Sequence, residues 1–223
     1  MGPFISIDGP GGAGKTTVAE SVVTYLEKSN VSVLATSEPT STPLGNYIRD
    51  HVDVVHGRDL AALVATDRSQ HLHVDIEPAL RSGSIVVCDR YFPSSLVLQA
   101  RDGVDTEFLW QLNRGVRVPD IAVILTAPPS VLDARLRTRG THNRFERGTD
   151  SSVDENARFT AVAIELADAG WPIVCYDTSV MSPDEIAGNI AKLARTRMQN
   201  PVSAARLSDR DDDGPTTQEG TTT

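Results

Sequence analysis

The sequence predicts a three-layer α/β fold in which a doubly wound, parallel five-stranded sheet is covered by helices on both faces. Three observations lead to this prediction. Five short apolar runs are spaced along the chain, segments of helical length separate them, and a glycine-rich phosphate-binding motif follows the first run. Strands that alternate with helices join through right-handed crossovers, which give parallel pairing. The 223 residues provide one such domain, which we expect over residues 1–200.

The predicted strands are nearly continuous runs of Val, Ile and other apolar residues, as in strands that are buried on both faces. They comprise residues 4–7, 31–35, 85–88, 121–125 and 173–176. The predicted helices fill the intervals and comprise residues 14–28, 44–54, 59–81, 94–101, 106–113, 130–138, 153–169 and 183–198. Pro78 lies inside the third of these helices, and we expect a kink there.

The remaining segments are polar. Residues 135–149 read RLRTRGTHNRFERGT, an arginine-dense stretch that we interpret as a lid. Residues 201–223 are rich in Ser, Asp, Thr, Gly and Pro and carry almost no apolar residues. Because such a composition buries too little surface to offset chain entropy, we predict a disordered acidic tail.

The overall composition is that of an ordinary globular protein. Hydrophobic residues make up 39% and charged residues 23%, and the net charge is −9 at pH 7 with a pI near 5.0. An acidic chain offers no electrostatic footprint for a nucleic-acid polymer. No apolar run approaches membrane-spanning length, and the first strand leaves no room for a signal peptide. We expect a cytoplasmic protein without membrane or nucleic-acid partners.

The cysteines and the histidine pair indicate neither a disulfide nor a metal site. Cys88 and Cys175 each lie within a predicted strand, so we expect both to be buried, reduced thiols. His71 and His73 lie two positions apart on a predicted helix and point in different directions. No carboxylate stands near them at ligand spacing, so we predict no metal there.

The segment GPGGAGKTT at residues 9–17 has P-loop spacing, with Gly9, Gly14, Lys15 and Thr16 at the motif positions. It follows a strand and opens a helix, where backbone N–H groups and the helix N-terminus favour anions. We expect Lys15 to bridge the β- and γ-phosphates and Thr16 to bind Mg²⁺. The predicted ATP-binding residues are Gly9, Pro10, Gly11, Gly12, Ala13, Gly14, Lys15, Thr16 and Thr17.

The third predicted strand ends in CDRY at residues 88–91, at the sheet edge where open α/β sheets bind ligands. Asp89 is placed to complete a Mg²⁺ shell with Thr16, and Arg90 can hold a phosphate with its planar fork. Two classes of protein fit: a kinase with an acceptor site, or an ATPase switch without one. A GTPase switch is disfavoured because the nearest match to its Asn-Lys-x-Asp motif, NRGV at residues 113–116, lacks both the lysine and the aspartate.

Further motifs follow in order: SEPTSTPLG at residues 37–45, TDRSQH at 66–71, IEPALRSG at 76–83, CDRYFPSS at 88–95, PDIAVIL at 119–125 and the segment 129–146. Over roughly residues 4–194 the chain resembles the thymidylate kinase family, of the bacterial type with lid arginines. The resemblance implies a P-loop nucleoside monophosphate kinase that transfers the γ-phosphoryl group of ATP to dTMP with Mg²⁺. It also implies a homodimer.

The resemblance assigns residues to the acceptor side. Arg68 resembles the arginine that hydrogen-bonds the acceptor base, and Arg90 resembles the one that holds the acceptor phosphate. Ser95 and Gln99 lie one helical turn apart, so both can line the base pocket. Glu38 resembles a pocket carboxylate whose role stays open.

The resemblance also assigns residues to the lid. Family members whose P-loop lacks an arginine, as here, place it in the lid, where positive charge stabilises the transferring phosphoryl group once water is excluded. Arg135 and Arg139 match lid arginines, and Arg144 resembles the arginine of the family's Asp-Arg-Ile-Glu, which reads NRFE at residues 143–146. We expect Arg135 and Arg144 to contact ATP and Arg139 to contact the transition state, with Lys15 and Arg90 as the other catalytic residues.

Four acceptor-side positions depart from the family pattern. Val64 stands where the family has a phenylalanine that stacks on thymine, and Gly11 replaces an acidic residue that meets the sugar 3′-hydroxyl. Leu98 and Ser37 stand where bacterial members commonly carry tyrosine and arginine. Base stacking on an aromatic ring contributes about 1–3 kcal/mol. A modified or non-standard nucleotide therefore stays open as an alternative to dTMP.

Overall fold

The computed structural model describes residues 1–141, 143–147 and 151–199. Within these ranges the chain forms a parallel sheet in the order β2-β3-β1-β4-β5. Its five strands are β1 (Phe4–Asp8), β2 (Val33–Ser37), β3 (Ile85–Asp89), β4 (Ile121–Thr126) and β5 (Ile173–Asp177). The predicted doubly wound α/β fold is confirmed. The predicted tail at 201–223 and residues 142 and 148–150 of the predicted lid lie outside the described residues.

Every predicted helix is present in the described part of the chain, with its ends shifted by at most a few residues. The helices are α1 (Lys15–Glu27), α2 (Pro43–His51), α3 (Gly57–His71), α4 (Glu77–Arg81), α5 (Phe92–Arg101), α6 (Thr106–Leu112), α7 (Pro129–Arg139), α8 (Ser151–Asp168) and α9 (Pro183–Gln199). None of these helices combines the length and apolar composition that a bilayer-spanning segment needs.

The irregularity expected at Pro78 lies before that residue. Proline cannot donate a backbone hydrogen bond, and its ring collides with the carbonyl four residues earlier. The chain adapts through a π-helical turn at Leu72–Ile76 between α3 and α4, in which the Glu77 N–H reaches back to the Leu72 carbonyl. This wider turn begins directly after His71, which proves to be part of the functional site.

The sheet is covered on both faces, and alternate residues of β1 enter different hydrophobic layers. One layer lies under α1 and α9 and includes Ile5, Ile7, Val22 and Ile190. The other lies under α5 and α8 and includes Phe4, Phe92 and Phe159. Burial on both faces fixes β1 firmly, and with it the start of the loop that follows the strand.

One prediction about the cysteines is wrong. Cys88 in the central strand β3 is buried, but Cys175 is exposed, and both thiols are free. β5 is an edge strand, and its residues are only partly covered. An apolar run of this kind does not reveal from sequence whether its strand lies at the centre or the edge of a sheet.

Candidate active site

The sheet topology brings the separate sequence motifs to one edge. β1 and β3 are parallel neighbours in which Ile7 is paired with Asp89, so the loops that follow them lie side by side. The next strand in the chain, β2, lies on the β3 side of β1, whereas β4 pairs with β1 on its opposite side. Open α/β sheets bind ligands at such a switch point, beyond the carboxyl ends of the strands.

The P-loop at residues 9–17 has a backbone that requires glycine. Gly12 and Gly14 have φ angles of 79° and 86°, in the left-handed region. A Cβ atom at Gly12 would also lie 2.8 Å from the Leu132 carbonyl oxygen. Lys15 at the start of α1 is buried, and its Nζ donates to the carbonyl oxygens of Gly9 and Pro10 at 2.8 Å each.

Four charged side chains act on Lys15. Burial, followed by the positive charge of Arg90, lowers the pKa of Lys15 to about 7. The carboxylates of Asp89, Glu155 and Glu146 act in the opposite direction. Because a nearby opposite charge favours the ionised form, a bound polyphosphate raises this pKa and keeps the ammonium charged.

The two predicted metal-binding residues contact each other. Thr16 Oγ1 donates to Asp89 Oδ2 at 2.6 Å. The other carboxylate oxygen, Asp89 Oδ1, is buried and has no hydrogen-bond partner among the described residues. Hydroxyl and carboxylate oxygens are the hard ligands that Mg²⁺ prefers, so this pair fits that ion.

Arg90 is held in a strained conformation with part of its guanidinium unpaired. Its φ is 71°, a region that costs a non-glycine residue about 1–3 kcal/mol, and its N–H donates to the Ile7 carbonyl at 2.9 Å. Nη1 is buried without a hydrogen-bond partner in the described part of the chain. Strain and an orphaned cationic donor at one residue indicate an anion-binding role.

A cavity of about 420 Å³ adjoins Arg90. All five predicted acceptor residues line it, namely Glu38, Arg68, Arg90, Ser95 and Gln99. Three of the four positions that depart from the family pattern do so as well, namely Ser37, Val64 and Leu98. The carbonyl oxygen Oε1 of Gln99 is buried and has no hydrogen-bond partner among the described residues. The cavity therefore has the composition of a small-molecule binding site, apolar walls with a few directed polar groups.

Arg68 is 1% exposed and is held by three neighbours. Its Nε and Nη2 both lie 2.8 Å from Glu38 Oε2. Nη2 also donates to Ser95 Oγ at 2.9 Å, and Nη1 donates to Asn113 Oδ1 at 2.6 Å. The arginine predicted to contact the base is thus oriented by protein groups before any acceptor arrives.

His71 is a partner of Glu38 that the sequence did not indicate. His71 Nδ1 lies 3.3 Å from Glu38 Oε1, and Nε2 lies 2.7 Å from Thr36 Oγ1. The expectation that no carboxylate stands near His71 is therefore wrong, because the packing of β2 against α3 joins residues distant in sequence. Cys88 adds a third potential ligand atom within 4.8 Å, but burial keeps the pKa of its thiol well above the usual range and Arg68 already pairs with Glu38.

Two further supporting carboxylates were also missed. Asp67 accepts hydrogen bonds from the Thr40 N–H at 2.7 Å and from its hydroxyl at 2.6 Å, which fixes the loop that carries Glu38. Glu155 of α8 accepts a backbone hydrogen bond from Gly11, and burial raises its pKa. Asp67 stands inside the TDRSQH motif and was recognisable, whereas Glu155 belongs to no motif.

The lid arginines occupy three different environments. Arg135 Nη1 donates to the Gly12 carbonyl at 3.2 Å, so this side chain lies against the P-loop. Arg139 Nη2 lies 2.7 Å from Glu146 Oε2. Arg144 is paired instead with Asp102 at 2.6 Å, and its Nη1 is buried without a hydrogen-bond partner among the described residues.

Asp8, the last residue of β1, ties the P-loop strand to α5. Its Oδ1 accepts hydrogen bonds from Tyr91 N at 2.9 Å, Ser94 N at 3.1 Å and Ser94 Oγ at 2.6 Å. Its Oδ2 is buried without a hydrogen-bond partner in the described residues. Burial raises the pKa of Asp8, and the hydrogen bonds and the charge of Arg90 offset this only in part.

We expect Asp8→Asn to raise the melting temperature at pH 7 to 8. Asparagine keeps the acceptor oxygen and removes the buried charge. Because the pKa of the folded state is raised, the penalty for the charge is full above that pKa and disappears as pH falls towards the unfolded value of 3.8. The gain over wild type, measured by thermal unfolding from pH 5 to 8, therefore shrinks in acid. Exposed Asp50→Asn is the control, and an Asp8→Asn loss at every pH would contradict this account.

Comparison with known proteins agrees with this geometry. The thymidylate kinase family model matches residues 7–181. A probable thymidylate kinase of Pyrobaculum aerophilum is 36% identical over 202 residues, 86% of this chain and 96% of the relative. One of Pyrococcus horikoshii is 38% identical over 202 residues, 87% and 96% of the two chains.

A bacterial relative matches over a shorter length. The thymidylate kinase of Xanthomonas campestris pv. campestris is 38% identical over 168 residues, 74% of this chain and 73% of the relative. Archaeal and bacterial proteins thus match at similar identity, and the comparison assigns no bacterial subtype. The family match spans most of the chain and includes the P-loop, the CDRY segment and the lid. The chain therefore belongs to the thymidylate kinase family of phosphotransferases.

Proposed function

We propose that this enzyme transfers the γ-phosphoryl group of ATP to dTMP, giving dTDP and ADP. The observation that carries the proposal is the orphaned Nη1 of Arg90, which lies where the P-loop edge meets the cavity. A buried cationic donor without a partner is costly unless a ligand supplies one. The phosphate of a nucleoside monophosphate meets that need and is the group that receives the phosphoryl.

On the acceptor side, the remaining residues suit the nucleoside. Arg68 and Gln99 offer hydrogen-bonding groups for the base edge, and Ser95 orients Arg68. Glu38 holds the Arg68 guanidinium from the other side. The walls at Val64 and Leu98 are aliphatic, so the base is recognised by polar groups and aliphatic packing at these positions rather than by an aromatic stack.

On the donor side, residues 9–17 hold the ATP phosphates, and Lys15 bridges the β and γ positions. Thr16 and Asp89 hold Mg²⁺, supported by their direct contact and by the unpartnered Asp89 Oδ1. When bound, the ion neutralises charge on the phosphate oxygens as the phosphoryl group leaves. Lys15 and Arg90 stabilise the same charge from the protein.

The lid completes the site with its own arginines, as in the bacterial type of the family. We assign the transition-state contact to Arg139, whose side chain is 42% exposed and whose partner Glu146 lies at the P-loop. Arg135 already contacts the P-loop at Gly12, which supports an ATP contact. Arg144 contacts ATP only once its ion pair with Asp102 is broken. Closure of residues 135–149 excludes water, which favours transfer over hydrolysis.

Three broader expectations belong to the same proposal. Residues 1–200 form the catalytic unit, and the enzyme works as a homodimer, which light scattering after size exclusion tests. A reducing, cytoplasmic setting is supported by the exposed free thiol of Cys175, since exposed thiols persist best where the medium is reducing.

A coupled ADP-release assay with MgATP tests the acceptor. The panel comprises dTMP, dUMP, dCMP, dGMP, dAMP, the ribonucleotides and thymidine. We expect dTMP to stimulate release most strongly. Weak response to dTMP and strong response to a base-modified deoxynucleotide would favour the alternative acceptor, which the aliphatic Val64 and Leu98 walls permit. Release that no nucleotide stimulates would contradict the kinase assignment and favour an ATPase switch.

A further inference from the structure

Glu146 is a buried carboxylate at the junction of the P-loop, the lid and the acceptor cavity. It ends the 3₁₀ turn Arg144–Glu146, its side chain is 4% exposed, and it lines the cavity. The turn is anchored at Phe145, whose carbonyl accepts hydrogen bonds from Arg101 at 3.0 Å and Ser151 at 2.6 Å. The position of Glu146 is thus fixed by α5 and α8 as well as by the lid.

Glu146 fills the space that a side chain at Gly11 would take. A Cβ atom at Gly11 would lie 3.1 Å from both Cγ and Oε1 of Glu146 and 3.3 Å from its Cδ. The backbone of Gly11 lies outside the left-handed region, so the loop itself admits a side chain here. The Glu146 carboxylate of the lid thus occupies the space in which a side chain at P-loop position 11 would lie.

The chemistry of the acceptor indicates what this carboxylate meets. A deoxynucleoside monophosphate presents a phosphate, a base and a sugar 3′-hydroxyl. Arg90 suits the phosphate, and Arg68 and Gln99 suit the base. A carboxylate repels the phosphate but accepts a strong hydrogen bond from a hydroxyl. On the basis of the proposed function, we infer that Glu146 binds the 3′-hydroxyl of the acceptor sugar.

This contact also joins acceptor recognition to the lid. Arg139 Nη2 lies 2.7 Å from Glu146 Oε2, so the residue that binds the sugar also holds the arginine assigned to the transition state. An acceptor with a correctly placed hydroxyl therefore fixes Glu146 and, through it, Arg139. Acceptors that lack the hydroxyl lose that coupling.

The test compares kcat/KM for dTMP and for 3′-deoxythymidine monophosphate in wild type and Glu146→Ala. We expect wild type to prefer dTMP and the variant to lose about 10- to 100-fold of that preference, the range for a hydrogen bond to a charged group. General damage to the fold lowers both rates together, whereas loss of the hydroxyl contact and of its coupling to Arg139 lowers only the rate with dTMP, so the ratio reports that contact and its coupling. Exposed Glu27→Ala is the matched control and keeps the wild-type ratio.

A swap of the carboxylate provides the second test. Gly11→Asp alone places a second carboxylate side chain against Glu146, so we expect activity to fall. The double variant Gly11→Asp/Glu146→Ala frees the space and supplies a carboxylate from the P-loop, and preference for dTMP returns in part. An unchanged substrate ratio in Glu146→Ala, or no recovery of preference in the double variant, overturns the inference. Wild type that phosphorylates neither nucleotide overturns the proposed function instead.

Discussion

Arg90→Ala is expected to lower kcat/KM for the acceptor by about 10²- to 10³-fold, the usual loss when one charge-stabilising donor is removed from a transition state. Arg90 combines a buried, unpartnered Nη1 with a position at the cavity. Its removal eliminates a charge-assisted contact to the acceptor phosphate, which contributes in both the ground state and the transition state. Steady-state kinetics with varied dTMP at saturating MgATP measure the loss.

Two further substitutions at this position separate charge from geometry. Arg90→Lys keeps the charge but not the planar fork, so it recovers only part of the rate. Arg90→Gly removes the strain of the 71° φ angle, so it is expected to raise stability by about 1 kcal/mol while remaining inactive. A glycine variant that is less stable than wild type would show that Arg90 is needed for folding rather than held for function.

Arg68→Met is expected to destabilise the fold by about 3–5 kcal/mol, because it breaks a buried ion pair from one side only. The side chain of Glu38 is 4% exposed and would stay buried without its arginine partner. Asn113 and Ser95 also lose the donor they accept from. For a chain of this length the melting temperature falls by about 6–20 °C, measured by calorimetry.

The double variant Arg68→Met/Glu38→Gln provides the control. Removing the carboxylate charge as well is expected to restore about half or more of the lost stability, since paired removal of a buried ion pair costs far less than removal of one partner. Losses in the double variant that equal the sum of the single losses would show that the pair is not coupled. Nucleotide-free protein is used in every case, so that ligand binding does not contribute.

The fold was predictable because its central strands β3, β1 and β4 are buried on both faces and therefore consist of nearly continuous apolar residues. The P-loop and the CDRY segment were equally recognisable, since both follow central strands and their positions at the sheet edge follow from topology. The sequence did not reveal which strands lie at the centre of the sheet and which lie at its edges. Cys175 is exposed because β5 is an edge strand.

The acceptor residues were found through motif order, but their partners were not. The contacts of His71 with Glu38 and of Arg68 with Asn113 join residues far apart in the chain, and only the packing of the helices brings them together. The position of the Glu146 side chain beside Gly11 depends on how the lid lies over the P-loop. No periodicity or spacing in the sequence encodes that arrangement.

The most direct measurement follows the γ-phosphoryl group itself. The protein is incubated with γ-labelled ATP, Mg²⁺ and dTMP, and the nucleotides are separated by anion exchange. We expect the label to appear in dTDP in one-to-one ratio with ADP and to depend on dTMP. Label released as inorganic phosphate at a rate that dTMP does not change would show hydrolysis without transfer and would contradict the assignment as a kinase.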